Sequence, residues 1–397
     1  MDYTFFTHNR QAIFAKAEAD VIILAGNVSL QRSNDASYIF EQEANFWYLT
    51  GITAPGWWLV IEKDKSTLIS PTVNEVHRVF DGELLFEDAE AISGVKEVLN
   101  RKAGEAFLES LKGSAVHVAT LSEDPHADHY DFMLNPGPVV MFEKLQKSFG
   151  EVTDCRRSLA ELRAIKSPAE AQLMREAIAL TIDAFEIVRK NSNNYSFEYE
   201  IEAEFTYQFR KNGALGHAYD PIVASGKNAC TLHYGKNQDP LVTGDLVLID
   251  VGARLHGYPA DITRTYATGK VSQRHQAVHA EVVKAHQQIV ALLRPGLRVK
   301  DYFSQVDIIM QLALENLNLL KTKDDYRKYF PHSISHGLGI DVHDSLGSPD
   351  LFQAGMVLTV EPGIYIAEEG IGVRIEDDIL ITKTGYENLS GGLSTDL

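Results

Sequence analysis

Four acidic side chains border or interrupt apolar segments in the second half of the chain. They are Asp250 after Leu-Val-Leu-Ile, Asp261 at the start of an alternating segment, Glu361 after Val-Leu-Thr-Val, and Glu376 within Val-Arg-Ile-Glu-Asp-Asp-Ile. Burial of an unpaired carboxylate costs several kcal/mol, so an acid in such a run needs a compensating charge. A lone aspartate at a strand end is more often a turn or capping residue, but four such acids favour a shared cation.

His336 adds an imidazole to these carboxylates. Carboxylate oxygens with one imidazole suit Mn²⁺, Fe²⁺, Co²⁺ or Zn²⁺ better than soft-metal chemistry. Because four carboxylates carry more charge than one divalent ion neutralises, the set predicts two ions. Arg374 is two residues from Glu376 and shares its strand face, so it either orients this glutamate or forms a surface ion pair.

Other chemical motifs are absent from the sequence. It contains no His-Glu-x-x-His, and the Gly-Leu-Gly beside His336 is a poor phosphate loop because it carries no lysine and precedes no clear helix. Cys155 and Cys230 are far apart, which predicts two reduced thiols rather than a disulfide framework or a thiolate zinc site.

Most of the 14 histidines need no functional role. His275, His279 and His286 recur on one predicted helix, and we interpret them as a solvated face. The group at 125–129, Pro-His-Ala-Asp-His, looks like a ligand cluster but is interpreted as a loop of the N-terminal domain.

The strands that position the acids are predicted from apolar runs and alternation, at residues 245–251, 261–266, 356–365 and 372–382. Before them, Ser167-Pro-Ala-Glu170 has the pattern of a helix start. The apolar face that follows is formed by Leu173, Ala177, Leu180, Ala184 and Val188. Further helices are predicted near 199–211 and 275–293.

The earlier part of the chain reads as a small α/β unit. Strands are predicted at 21–25, 57–62, 66–70 and 115–120, with a helix at 104–111. The length of 397 residues is consistent with two or three domains. Because the helix start at Ser167 favours a boundary shortly before it, we predict domains at 1–157 and 158–397.

Composition restricts the partners. The chain has 37 basic and 55 acidic residues and a net charge of −18, which disfavours nucleic acid and anionic lipid. Its first residues lack the basic and apolar regions of a signal peptide, and no apolar run approaches the roughly 18 residues of a membrane span. These features predict a soluble, cytoplasmic protein without nucleic-acid or membrane partners.

Five segments match one family in order and spacing. They are Leu248-Ile-Asp-Val-Gly252, Asp261-Ile-Thr-Arg-Thr265, the segment from His332 to Asp344, Val360-Glu-Pro-Gly-Ile-Tyr365, and Gly372-Val-Arg-Ile-Glu-Asp-Asp378. Together they resemble the proline-specific metallopeptidases of the pita-bread fold, a group that includes Xaa-Pro aminopeptidase (aminopeptidase P) and Xaa-Pro dipeptidase. Residues 32–51 and 166–170 resemble the N-terminal domain of aminopeptidase P and the start of its catalytic domain.

The resemblance implies an α/β (α+β) architecture, with a smaller N-terminal α/β domain and a C-terminal pita-bread catalytic domain. It also implies two divalent ions, commonly Mn²⁺, with Zn²⁺, Co²⁺ or Fe²⁺ as alternatives. Their ligands would be Asp250, Asp261, His336, Glu361 and Glu376. Asp261 and Glu376 would bridge the ions, Asp250 would bind one ion, and His336 and Glu361 would bind the other.

The resemblance further implies catalytic roles for His233, His343, Glu361, Tyr365 and Arg374. Substrate would be bound by His233, His332 and His343. Glu361 would transfer the proton of a hydroxide held between the ions, and His343 would stabilise the oxyanion. Self-association as a dimer or tetramer is also implied.

The activity predicted from these features is hydrolysis of the Xaa-Pro bond at the N-terminus of peptides. An Xaa-Pro dipeptidase is the alternative, since it shares the ligands, but the segment Phe46-Trp-Tyr-Leu-Thr-Gly51 resembles the aminopeptidase more. A non-catalytic binding module or a metal-free relative such as creatinase is disfavoured because all five ligands are present. Methionine aminopeptidase is disfavoured because it lacks this N-terminal domain.

Overall fold

The computed structural model describes residues 1–112, 116–122, 133–322 and 324–397. The chain divides into two compact units, Met1–Leu162 and Arg163–Leu397. The boundary predicted between residues 157 and 158 falls within the helix Arg156–Ala164 and stays a prediction. The predicted loop at 125–129 lies outside the described residues.

The first unit is built on a mixed sheet. Its strands are β1 (Val21–Ala25), β4 (Trp58–Glu62), β5 (Lys65–Ile69), β6 (Glu97–Leu99), β7 (Val118–Thr120) and β8 (Thr153–Asp154), with β2 (Gln31–Ser33) and β3 (Ala36–Ser37) forming a separate pair. The order across the sheet is β6-β5-β4-β1-β7-β8. All residues of β1 are buried, as expected of an apolar strand at the centre of a covered sheet.

Helices accompany this sheet along the chain. They are α1 (Tyr3–Lys16), α2 (Ala44–Thr50), α3 (Glu75–Phe80), α4 (Phe86–Ser93), α5 (Arg101–Leu111) and α6 (Pro136–Phe149). Leu108 of α5 and Leu145 of α6 are buried in one cluster with Ile23 of β1. The small α/β unit predicted from the sequence is therefore observed.

The second unit follows α7 (Arg156–Ala164), which contains the division. Its helices are α8 (Pro168–Lys190), α9 (Glu198–Lys211), α10 (Gln273–Val290), α11 (Val299–Asn316) and α12 (Asp324–Tyr329). The Ser167 side chain accepts from the Glu170 amide and the Glu170 side chain accepts from the Ser167 amide, so the predicted capping box is confirmed. On α8, Leu173 is half-buried and the other predicted core residues are buried. The helix α11 was not predicted.

Several small antiparallel sheets carry the candidate site. Their strands are β9 (Gly216–His217), β10 (Ile222–Ser225), β11 (Leu246–Val251), β12 (Ala253–Leu255), β13 (Tyr258–Pro259), β14 (Ile262–Ala267), β15 (Val357–Val360), β16 (Gly363–Ile366), β17 (Ile371–Arg374), β18 (Asp377–Ile381) and β19 (Tyr386–Asn388). Among the described residues the sheet orders are β10-β11-β14, β13-β12-β9, β15-β18-β19 and β16-β17.

Two predicted strands are each broken into two. The segment 356–365 forms β15 and β16, and the segment 372–382 forms β17 and β18. β15 pairs with β18, whereas β16 pairs with β17 in a different sheet. Pro362 explains the first break, since proline cannot donate to a strand ladder. At the second break the run Glu376-Asp377-Asp378 interrupts the alternation. Glu361 and Glu376 therefore lie where the chain changes sheets, and both breaks have a sign in the sequence.

The strand predicted at 261–266 is observed as β14, but the polar positions of its alternating pattern do not face solvent. Thr263, Arg264 and Thr265 are all buried. The Arg264 guanidinium pairs with Asp377 at 2.7 Å and donates to the carbonyl oxygen of Glu376 at 2.8 Å. Polar side chains that satisfy one another inside the unit thus imitate a solvent-facing pattern.

The prediction that the histidines of α10 form a solvated face is wrong. His279 and His286 are buried and His275 is half-buried. His286 Nε2 lies 3.3 Å from Asp377 Oδ2. His279 and His286 share the buried stripe with residues such as Val282, so the helical spacing indicated the core and only the residue type suggested solvent.

Two further observations concern the whole chain. Cys155 and Cys230 are free, as predicted. Within the described residues, no helix combines the length and the hydrophobicity that spanning a membrane requires.

The backbone between Asp250 and Asp261 makes a close approach at Gly252. A Cβ at this position would lie 1.7 Å from the Ala260 carbonyl oxygen and 3.2 Å from the Tyr219 ring. We expect Gly252→Ala to lower the stability of the protein by about 1–3 kcal/mol, as overpacking does. Thermal unfolding measures this. Gly385→Ala is the control because a Cβ there meets nothing within 4 Å; equal effects of the two variants would contradict the prediction.

Candidate metal centre

A cavity of about 530 Å³ in the second unit collects the residues predicted to form the site. Nine of them line it: His233, Asp250, Asp261, His332, His336, His343, Glu361, Arg374 and Glu376. The tenth, Tyr365, is buried and hydrogen-bonded to His332 and Arg374. Side chains that are up to 143 residues apart in sequence, from His233 to Glu376, therefore meet at one place.

Two neighbouring strands and one isolated bridge hold three of the four carboxylates. Asp250 on β11 lies opposite Thr263 on β14, and Asp261 directly precedes β14. Glu376 forms a bridge with Thr263, and the Glu376 amide donates to the Thr263 carbonyl at 3.0 Å. The backbone around Thr263 consequently joins three of the four acids.

His336 is oriented by its own neighbours. Its Nδ1 lies 3.0 Å from the Gly337 carbonyl oxygen, which assigns the ring proton to Nδ1 and leaves Nε2 as the ligand atom. Nε2 lies 3.4 Å from an Asp261 oxygen and 3.7 Å from a Glu361 oxygen. One ligand atom each of Asp261, His336 and Glu376 lie within 4.8 Å of one another. This spacing suits a common cation.

Asp250 has two direct partners. An Nη of Arg374 lies 2.5 Å from Oδ2, and the Tyr219 hydroxyl donates to Oδ1 at 2.6 Å. Tyr219 lines the cavity and was missed from the sequence, where no motif singles it out. Its role is visible only after folding, because it lies 31 residues before its partner.

Arg374 is linked to Glu376 through the Thr263 hydroxyl. This corrects the sequence-based hypothesis that Arg374 orients Glu376 by direct contact. Its Nε donates to the Thr263 hydroxyl at 3.1 Å, and that hydroxyl donates to Glu376 at 2.7 Å. Its ion pair is with Asp250 instead. Arg374 and Glu376 both line the cavity, so they still face the same space although the strand is broken between them.

A hydrogen-bond chain continues from Arg374. Its Nη1 donates to the Tyr365 oxygen at 2.8 Å, and that hydroxyl lies 2.9 Å from His332 Nε2. His332 Nδ1 lies 2.7 Å from the Ser333 carbonyl oxygen, so we assign the ring proton to Nδ1. His332 Nδ1 also lies 3.5 Å from Glu361. The chain thus links the surroundings of Asp250 to those of Glu361.

Residues 172–383 match the family described as "Metallopeptidase family M24", and residues 6–119 match "Aminopeptidase P, N-terminal domain". The chain belongs to metallopeptidase family M24. These matches confirm the predicted family, the mixed α/β fold and the prediction that the chain is a hydrolase.

Named relatives align with almost the whole chain, including the part outside the M24 match. The Xaa-Pro aminopeptidase of Haemophilus influenzae is 34% identical over an alignment of 421 positions, gaps included, which covers 99% of this chain and 95% of the relative. The structure of aminopeptidase P from E. coli with the inhibitor Pro-Leu aligns with a TM-score of 0.87 and 31% identity, over 100% of this chain and 96% of that one. Proline aminopeptidase P II from Yersinia pestis aligns with a TM-score of 0.86 and 32% identity, over 100% and 98%.

The electrostatics of the M24 site indicate a missing positive charge. Burial raises the pKa of Glu361 to about 7. Burial and the charges of Asp261 and Glu361 raise the pKa of Glu376 well above its usual range. Burial also raises the pKa of Asp250, although Arg374 opposes this. Divalent cations would supply the missing charge, and the carboxylate and imidazole donors fit them.

The pKa values of His336 and His332 are shifted in opposite directions. Burial acts to lower the pKa of His336, but the hydrogen bond to Asp261 and the charges of Glu361 and Asp261 outweigh it and raise the pKa to about 9. Burial and the charge of Arg374 lower the pKa of His332 to about 3. His332 is therefore neutral, whereas His336 must lose a proton before it can bind metal.

A second row of acids, also missed from the sequence, supports the first. Asp378 is buried and its Oδ2 accepts from the Asp261 amide at 3.1 Å. Asp377 is buried with Arg264 and His286, whose charges outweigh its burial and lower its pKa to about 2. The doubled acid after Glu376 thus holds the backbone of one candidate ligand and a buried arginine.

The proton on His336 predicts a pH dependence of the metal-free protein. Since the folded pKa of about 9 lies above the ordinary 6.5, the folded state keeps a proton that the unfolded chain loses in this range. The stabilisation is complete below pH 6.5 and is lost as the pH rises towards 9. We expect the Tm of EDTA-treated protein to fall by about 4–8 °C between pH 6.5 and 8.5, which corresponds to about 2 kcal/mol. His336→Gln should flatten this dependence; an equally steep fall in that variant would contradict it.

The hydrogen bond of Tyr219 predicts an effect on metal affinity. Tyr219→Phe removes the donor to Asp250, and loss of such a supporting bond lowers metal affinity by about 10–100-fold. Competition with a chelator measures this change. Tyr326→Phe is a matched control, since Tyr326 donates to Asp307 over the same 2.6 Å away from the cavity. Unchanged affinity in Tyr219→Phe would show that the bond does not support a ligand.

Proposed function

We propose that the chain is an Xaa-Pro aminopeptidase, which removes the first residue of peptides whose second residue is proline. The observation that carries this proposal is the cavity, in which five ligand-type side chains converge with His233, His332 and His343. The match of residues 6–119 to the N-terminal domain of aminopeptidase P favours the aminopeptidase over a dipeptidase.

The metal ligands that we propose are the five predicted from the sequence. Divalent ions would be held among the side chains of Asp250, Asp261, His336, Glu361 and Glu376, which line the cavity. Mn²⁺ is the proposed metal, with Zn²⁺, Co²⁺ and Fe²⁺ as alternatives. Bound divalent metal lowers the pKa of water from 15.7 to about 7 and polarises a carbonyl.

We assign the proton transfers to Glu361. The Glu361 carboxylate lines the cavity 3.7 Å from His336, where it can exchange a proton with a bound water as a general base and acid. Glu361 would accept the proton of the attacking water and deliver it to the leaving proline nitrogen. Neutral His332 lies 3.5 Å from Glu361 and adds no charge beside this carboxyl. His343, on the cavity wall, would donate a hydrogen bond to the oxygen that becomes negative.

Selectivity for proline has a physical basis in the same cavity. The amide nitrogen of an Xaa-Pro bond has no hydrogen, so the site need not offer it an acceptor, but it must accommodate a ring. Ile222, Leu232 and Val342 give the wall apolar surface beside the polar groups. His233 lies on the same wall and is the proposed contact at the edge of the substrate.

Peptidase activity, measured on substrates of different length and with and without metal, tests the proposal. We expect turnover of Xaa-Pro-Yaa tripeptides, loss of activity with EDTA and recovery with Mn²⁺. Asp261→Ala and Glu376→Ala should each lower kcat/KM by at least about a hundredfold, since loss of a ligand costs more than loss of its support. Asp183→Ala, at an exposed position of α8, is the control.

Three outcomes would contradict this proposal. Cleavage of Xaa-Pro dipeptides alone would favour the Xaa-Pro dipeptidase, and full activity in either ligand variant would refute the shared metal ions. A protein that binds such peptides without cleaving them would be the non-catalytic module. Cytoplasmic location, the pita-bread description of the second unit and a dimer or tetramer stay predictions.

A further inference from the structure

The loop Gly337–Asp344 carries His343 and is closed at its two ends. The Asp344 amide donates to the Gly337 carbonyl at 2.9 Å, and the Leu338 amide donates to Val357 of β15 at 3.0 Å. Between these anchors, Asp341 and His343 are exposed and Val342 is half-buried. Burial therefore does not hold the part of the loop that bears His343.

Two buried basic side chains contact the acids of this loop. Lys166 Nζ lies 3.5 Å from Asp344, and Arg163 lies 2.9 Å from Asp344 and 2.6 Å from Asp341. The Lys166 and Asp344 side chains are only 1% and 3% exposed. Such a pair loses hydration on folding, and apolar replacements of buried pairs are often as stable, so net stability is a poor account of it. Holding the loop in one fixed geometry explains the buried pair better.

The loop backbone lies directly against this pair at Gly339. A Cβ there would be 1.8 Å from an Asp344 oxygen and 2.9 Å from Lys166 Nζ. Arg254 also donates to the Ile340 carbonyl at 3.0 Å. The residues that lead into 341–343 are thus held by charged side chains.

We propose that Lys166 and Asp344 are positioning residues, which hold this loop so that His343 is directed at the carbonyl oxygen of the bound Xaa-Pro peptide. The proposal rests on the proposed function, which makes His343 the donor to that oxygen. The His343 ring lies edge-on to the His336 ring, 4.3 Å between centroids, so its loop borders the candidate metal ligands. A donor acts only where the negative charge develops, and a misplacement of about 1 Å can cost about a hundredfold in rate.

The test uses Lys166→Met in the full chain. This variant removes the ammonium but leaves Arg163 paired with Asp344, so the buried carboxylate keeps a counter-charge. Lys284→Met is the control, because it breaks a half-exposed ion pair with Glu281 on α10. For each protein we would measure kcat and KM on an Xaa-Pro-Yaa tripeptide, bound Mn²⁺ and Tm.

We expect Lys166→Met to lower kcat by about 10–100-fold, with KM changed by less than about threefold and bound Mn²⁺ unchanged. The decisive measurement is the same substitution in a His343→Ala background. If Lys166 acts through His343, it should there lower kcat by less than about threefold further. A merely structural role would lower activity by the same factor in both backgrounds.

Parental kcat in Lys166→Met, or an equal loss in the two backgrounds, would overturn the proposal. If Lys166→Met does not fold, Gly339→Ala makes the same test, because its Cβ would lie 1.8 Å from Asp344 Oδ2 and must disturb the Lys166–Asp344 pair without changing any charge. A parent protein that cleaves no Xaa-Pro peptide would instead refute the proposed function. A fully active His343→Ala would refute the assignment of His343, and this inference with it.

Discussion

Repulsion among buried carboxylates is the constraint on which the second unit depends. Asp250, Asp261, Glu361 and Glu376 share one cavity, where Arg374 is the permanent cation on the described wall. Arg374 is already paired with Asp250. The other carboxylates lack such a partner among the described residues, and burial together with their mutual repulsion raises the pKa values of Glu361 and Glu376. A protein that folds around such a group must receive protons or cations there, and family M24 membership identifies the cations as metal.

The fold meets this constraint by putting acids where strands end or change sheets. Glu361 and Glu376 occupy the two breaks that separate β15 from β16 and β17 from β18. At a break a side chain is freed from the alternation of a ladder and can turn towards the cavity. Thr263 then ties the pieces together, since it contacts Arg374 and Glu376 and lies opposite Asp250.

The sequence predicted the candidate ligands because an acid in an apolar run is physically anomalous, and it predicted β11 and the capping box of α8 from local patterns. It could not predict partners that only the fold creates. Tyr219 has no anomalous neighbours, and Asp250, the partner of Arg374, lies 124 residues away in sequence. The prediction for the histidines of α10 was wrong for a different reason. Their spacing indicated the core, but the polarity of histidine suggested a solvent-exposed face.

Metal binding in such a unit is also part of its folding. The candidate ligands come from β11, from the residue before β14, from the loop at His336 and from the two strand breaks, so ions bound among them would join segments that are distant in sequence. Ligands that repel one another without metal attract a common cation with it, and an unfolded chain does not hold them together. The same acids that oppose folding of the metal-free chain would therefore stabilise the loaded one. On this account the supporting contacts of Tyr219, Thr263 and Asp378 act before the metal arrives, by holding in place carboxylates that would otherwise move apart.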